Sequence, residues 1–90
     1  MQYRLEVTVR AKQQIKLVLP EHLRTEIAQS ILDLREEPRP INSELQRELH
    51  RRYRLKIDGW RVFYKIDEPG KLVTVLEVRR RNRNTYLNIP

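Results

Sequence analysis

The stretch Tyr53-Arg54-Leu55-Lys56-Ile57-Asp58-Gly59-Trp60-Arg61-Val62-Phe63-Tyr64-Lys65-Ile66 decides the fold of this 90-residue chain. Two alternating runs flank Asp58-Gly59, a pair suited to a type I′ hairpin turn because Asp and Gly tolerate φ > 0 at the central positions. A two-residue loop there sets Ile57 against Trp60, Lys56 against Arg61, Leu55 against Val62, Arg54 against Phe63 and Tyr53 against Tyr64. Side chains alternate along a strand, so Tyr53, Leu55, Ile57, Trp60, Val62, Tyr64 and Ile66 share one apolar side. Arg52, Arg54, Lys56, Arg61 and Lys65 share the other, a plate of positive charge. Like charges directly opposite, as Lys56 and Arg61 are, destabilise a strand pair, and an anion would relieve them.

Working outward, Gln2 to Arg10 alternates, with Tyr3, Leu5, Val7 and Val9 on one side, and reads as a strand with one wet face. From Ala11 the period changes, and Ala11, Ile15, Val18 and Leu19 suit a short helix. Pro20 ends it and fits the first turn of a second helix, whose stripe is Leu23, Ile27, Ile31 and Leu34. Pro38 and Pro40 stop that helix by Glu37. Ser43 with Gln46 three residues later resembles a capping box, which predicts a helical turn or two over Glu44 to Leu49. Asp67-Glu68-Pro69-Gly70 reads as a turn, and Leu72 to Val78 as the last strand. Pairing Ile66 with Leu72 puts Thr74 opposite Tyr64, Leu76 opposite Val62 and Glu77 opposite Arg61. A one-residue shift would bury Glu77, so the first register is preferred, with Glu77 orienting Arg61. The expected architecture is α+β: two helices on one face of a small, largely antiparallel four-stranded sheet, in the order β-α-α-β-β-β.

Composition narrows the partners. Nineteen Lys and Arg against twelve Asp and Glu give a net charge of +7 and a pI near 10.2, which favours nucleic acid or another polyanion. The absence of cysteine excludes a disulfide framework and thiolate metal sites, and two isolated histidines, His22 and His50, make no typical zinc set. No apolar run approaches the ~18 residues that span a bilayer. A single domain over residues 1–90, cytoplasmic and without a cofactor or metal, is the expectation.

After the last strand, Arg79-Arg80-Arg81-Asn82-Arg83-Asn84-Thr85-Tyr86 combines arginine forks that match phosphate oxygens with a ring that can stack on an unpaired base. With the plate it makes a single-stranded nucleic acid cleft, although a basic tail can also be a solvated terminus. Phe63 is the one aromatic residue on the basic side and could stack on a base or pack under a loop. Trp60 and Tyr64 fall on the apolar side and read as core.

The Tyr-Arg-Leu-Lys run at 53–56, the Gly-Trp-Arg-Val-Phe-Tyr run at 59–64 and the basic segment ending in Tyr86 resemble toxins of the RelE/ParE superfamily of bacterial type II toxin-antitoxin systems. The resemblance extends over nearly the whole chain. It implies one of two activities: RelE-like members are ribosome-dependent endoribonucleases that cut mRNA in the ribosomal A site, whereas ParE-like members inhibit DNA gyrase. Carried over by position, it implies Arg54 and Lys56 as paired basic residues, Arg61 as the phosphate-stabilising arginine, Arg81 near the leaving group and Tyr86 holding the base. Arg80 and Arg83 compete with Arg81 for its role, and Arg52, Arg54, Arg80, Arg83 and Phe63 are expected to bind substrate. A cognate antitoxin, the ribosome and mRNA are the implied partners. Arginine cannot act as a base near neutral pH, so Lys56, whose positive neighbours disfavour its protonated form, is the candidate to take the 2′-hydroxyl proton. A nucleic-acid-binding module without catalysis is a third reading.

Overall fold

The computed structural model describes residues 2–46 and 52–81. Its elements are β1 (Arg4–Val7), α1 (Val9–Lys16), α2 (Glu21–Asp33), β2 (Ser43–Leu45), β3 (Arg52–Ile57), β4 (Trp60–Asp67) and β5 (Leu72–Arg80). They form one five-stranded sheet in the order β1-β5-β4-β3-β2, antiparallel except where β1 runs parallel to β5. Ala11, Val18, Ile27, Ile31 and Leu34 of the helical layer meet Leu55, Ile57, Val62, Tyr64, Ile66, Val73, Val75 and Val78 in one core. The α+β class holds.

The hairpin register is that of the alternation, from Ile57 opposite Trp60 to Tyr53 opposite Tyr64. Its turn differs from type I′: Asp58 is left-handed at φ 53°, but Gly59 has no positive φ. The same strand pairing is therefore closed with one left-handed residue rather than two.

The expected helical turns from Glu44 are instead a fifth strand. Ser43, Glu44 and Leu45 pair antiparallel with Leu55, Arg54 and Tyr53, and the Ser43 hydroxyl donates to the Pro40 carbonyl at 2.7 Å instead of capping a helix. Residues 47–49 of that expected helix lie outside the described residues, as does His50.

The first strand is shorter than its alternation. Thr8 leaves it to cap α1, its hydroxyl accepting from the Ala11 amide at 3.1 Å, so Val9 enters the helix and is 70% exposed. Leu19, expected inward, is also exposed, in the connection to α2, and Pro20 is the residue before that helix rather than within it.

The last strand corrects the expected register. Asp67 faces Leu72, Ile66 faces Val73 and Tyr64 faces Val75, which places the β-branched valines in the core. A bulge then lets Leu76 go unpaired, and Phe63 faces Glu77, Val62 faces Val78 and Arg61 faces Arg79. One extra residue reverses the side-chain parity, so Val73 and Val75 point inward without burying Glu77. The helix secures the irregularity: the Thr8 hydroxyl donates to the Leu76 carbonyl at 3.1 Å, and Gln14 Oε1 accepts from the Val78 amide at 2.7 Å.

The connection after α2 is clamped to the sheet. Arg39 donates to the Tyr53 hydroxyl at 3.0 Å and to Glu68 at 2.6 Å, while the Tyr3 hydroxyl donates to Glu68 at 2.9 Å. Tyr64 is fully buried, stacks on Tyr53 and donates to the Pro38 carbonyl at 2.7 Å.

Candidate nucleic-acid interface

The helices cover the face formed by Leu55, Val62 and Val75, and the β3–β4–β5 alternation directs Arg52, Arg54, Lys56, Arg61, Phe63, Lys65 and Arg79 to the other. Lys56, Arg61 and Arg79 form one row across three strands. Arg61 is oriented by its own hairpin, its Nη1 donating to the Trp60 carbonyl at 2.9 Å and approaching the Asp58 carbonyl at 3.4 Å. It is not held by Glu77. That carboxylate lies 3.2 Å from Arg10 and 3.5 Å from Arg79.

Arg81 follows β5 and donates its amide to the Gly59 carbonyl at 2.7 Å, which ties its backbone to the turn beside Lys56 and Arg61. Arg80 faces Trp60 and so takes the opposite side of its strand from Arg79. Arg52 lies opposite Lys65, on the basic side but four residues along β3 from Lys56, ~13 Å at strand spacing. Arg83 and Tyr86 lie outside the described residues.

The counter-charge on this face is Glu44. Its carboxylate sits 2.9 Å from Lys56 Nζ and 3.2 Å from Arg54 Nη2, and hydrogen bonds from Lys56 first and Arg54 second hold its pKa below the ordinary carboxylate value. Positive residues that face one another across β3 and β4 are therefore relieved from within the chain. Arg54 keeps one unused donor: its Nε is shielded from solvent and has no acceptor among the described residues. The sequence hides Glu44, because Ser43 with Gln46 three residues later resembles a helix cap. As a strand, Ser43-Glu44-Leu45 would have put the carboxylate beside the cations.

Phe63 also has a partner that the sequence did not single out. The Arg79 guanidinium carbon lies 5.3 Å from the centroid of the Phe63 ring.

No curated protein matches the chain by sequence. Solved structures match in fold. The toxin-antitoxin complex RelBE2 from Mycobacterium tuberculosis has a chain 24% identical, with 90% of this chain and 100% of that one covered and a TM-score of 0.75. In the archaeal RelE-RelB complex from Pyrococcus horikoshii the values are 19% identity, 92% and 99% coverage and a TM-score of 0.80. In the isolated E. coli RelE toxin they are 23% identity, 94% and 92% coverage and a TM-score of 0.76. A sequence-family model described as the ParE toxin of type II toxin-antitoxin system, parDE, matches residues 5–85. That match spans nearly the full chain, and with the shared fold it establishes that the protein belongs to the ParE toxin family of type II toxin-antitoxin systems, within the RelE/ParE superfamily.

Proposed function

We propose that this toxin is a ribosome-dependent mRNA endoribonuclease that inhibits translation, and that the open basic side of its sheet receives the mRNA strand. The observation that carries the reading is the row Lys56, Arg61 and Arg79, flanked by Arg54 and by Arg81 at the hairpin turn. It is a set of cations on a rigid sheet, turned away from the helices. Phosphate enters by displacing Glu44 from Lys56 and Arg54, and the unused Arg54 Nε supplies a further donor once the side chain turns.

The chemistry follows from these groups. The 2′-oxygen attacks the adjacent phosphorus, the bond from phosphorus to the 5′-oxygen breaks, and the products carry a 2′,3′-cyclic phosphate and a 5′-hydroxyl. Lys56, once phosphate has displaced Glu44 and its ammonium has given a proton to water, takes the 2′-hydroxyl proton as the neutral amine. Arg54 and Arg61 hold the charge that develops on the phosphorane, the contribution that is often largest. Arg81 stabilises the departing 5′-oxygen, which takes its proton from water, and Tyr86 stacks on and orients a base. The ribosome presents the strand in a cleavable geometry, so free RNA is cut poorly. The second partner is a cognate antitoxin, acidic where it meets the basic side and partly unfolded alone; solved relatives are toxin-antitoxin complexes.

The test is a purified translation reaction with wild type, Lys56→Ala and Arg61→Ala. Each substitution lowers cleavage by ~100-fold or more, the scale of one lost transition-state contact. Undiminished cutting by both variants would sink the assignment. The ParE description of the matching family favours a second reading, inhibition of DNA gyrase, whose signature is accumulation of gyrase cleavage complexes without new mRNA ends.

A further inference from the structure

Arg79 lies on the basic side one strand beyond Arg61 as seen from Lys56, and Phe63 shares that side two residues along β4 from Arg61. Phe63 faces Glu77 and Arg61 faces Arg79, so Arg79 and Phe63 are diagonal neighbours, and the guanidinium rests over the ring at 5.3 Å. The Arg79 Nε edge is turned toward Glu77 at 3.5 Å, and the same carboxylate oxygen is held by Arg10 of α1 at 3.2 Å. Glu77 is largely covered, with 23% of its side chain exposed, whereas Arg79 retains 61%. The planar cation is thus fixed from below by a ring and along one edge by a carboxylate, with its outer face open. An arginine in a long flexible conformation would lose much of its stacking energy to ordering. This one is ordered in advance.

We infer that Arg79 is a stacking platform for a nucleobase of the single-stranded RNA, next to the phosphate held at Lys56 and Arg61; the inference rests on the proposed RNA-binding reading. The Phe63 ring is the support beneath it rather than the surface that meets the base. Neighbouring strands are ~4.8 Å apart, so Arg79 sits ~10 Å from Lys56 across Arg61, where a nucleotide flanking the bound phosphate would lie. Guanidinium planes accept unpaired bases face to face, and the order ring, guanidinium, base continues a stack that Phe63 and Arg79 have begun. Glu77 and Arg10 are positioning residues for this platform.

The experiment measures binding of short single-stranded RNA to the purified toxin at low salt, by fluorescence anisotropy, using one base-bearing oligonucleotide and a series in which each position in turn is abasic. Arg79→Lys keeps the charge and removes the plane. It is expected to weaken binding of the base-bearing RNA on the order of tenfold, the scale of one base–side-chain stack, while leaving the salt dependence unchanged. At one position the abasic substitution weakens wild type by a similar factor and leaves Arg79→Lys unaffected. Phe63→Leu, which removes the support, shifts binding in the same direction. Equal binding of base-bearing RNA by wild type and Arg79→Lys would overturn the platform, as would abasic losses that are the same in both proteins or a wild type that binds no RNA. The outcomes separate from those of the cleavage reading. Base-dependent binding through Arg79 with no mRNA cleavage leaves the platform standing and removes the nuclease; cleavage with wild-type rate and cut sites in Arg79→Lys does the reverse.

Discussion

The Glu44 carboxylate lies 2.9 Å from Lys56 Nζ, reaching from the edge strand to the residue whose neutral amine is proposed as the base. It also contacts Arg54, so one acid offsets part of the positive charge where substrate phosphate is expected. An RNA strand must compete with it. Glu44→Gln removes the competing charge and should tighten binding of single-stranded RNA by roughly fivefold, the scale of one solvent-screened charge contact. Fluorescence anisotropy at fixed ionic strength checks this, and weaker binding by the variant would mean that Glu44 helps to hold the substrate rather than excluding it.

The acid limb of stability follows from two carboxylates. Lys56 and then Arg54 depress the pKa of Glu44, while Arg39 and then Tyr3 depress that of Glu68, both below the ordinary value of 4.5. A pKa lower in the folded state stabilises the fold above the unfolded value, and that contribution is lost as pH falls through the folded value. The urea midpoint should therefore be level near neutrality and decline below about pH 4.5, and Glu68→Gln should flatten part of the decline. An identical acid limb in the variant would remove the Arg39–Glu68–Tyr3 clamp from this account.

Tyr64 controls the alkaline limb. Burial, the largest cause, pushes its phenol up to about 12, and the hydroxyl donates to the Pro38 carbonyl. Here the folded pKa is the higher one, so the contribution is complete below the ordinary value of 10.0 and disappears as pH rises toward 12. Tyr64→Phe leaves the Pro38 carbonyl unpaired and should cost about 1–3 kcal/mol at neutral pH by urea denaturation. It should also remove the loss of stability above pH 10 that is expected of wild type.

The Thr8 hydroxyl both caps α1 and satisfies the Leu76 carbonyl at the bulge. Thr8→Ala loses both bonds and should destabilise the protein by about 1–2 kcal/mol, whereas Thr8→Ser, which keeps the hydroxyl, should retain most of that. Equal stability of the two variants would deny the hydroxyl this role.

Much of this could be read from the chain alone because Tyr53 to Ile66 specifies its own pairing: alternation and turn position together leave one register that buries Leu55, Val62 and Tyr64. The last strand was harder, since Val73-Thr74-Val75 and Val78 cannot all satisfy a single parity while Glu77 stays outside, and only a bulge resolves the conflict. Ser43-Glu44-Leu45 carries too few residues for alternation to distinguish it from a capped helix, and its pairing with Leu55 to Tyr53 is a tertiary event. The loss of that strand from the reading also concealed Glu44. Arg79 was visible as charge, but its contact with Phe63 depends on the bulge-shifted register.

The most direct measurement of the central claim is the mapping of mRNA 5′ ends in cells after brief expression of wild type and Arg61→Ala. The account predicts new ends within translated codons that depend on ongoing translation, reduced by ~100-fold in the variant at equal protein level. Growth arrest by wild type without new mRNA ends, or the same ends at the same frequency with Arg61→Ala, would contradict it.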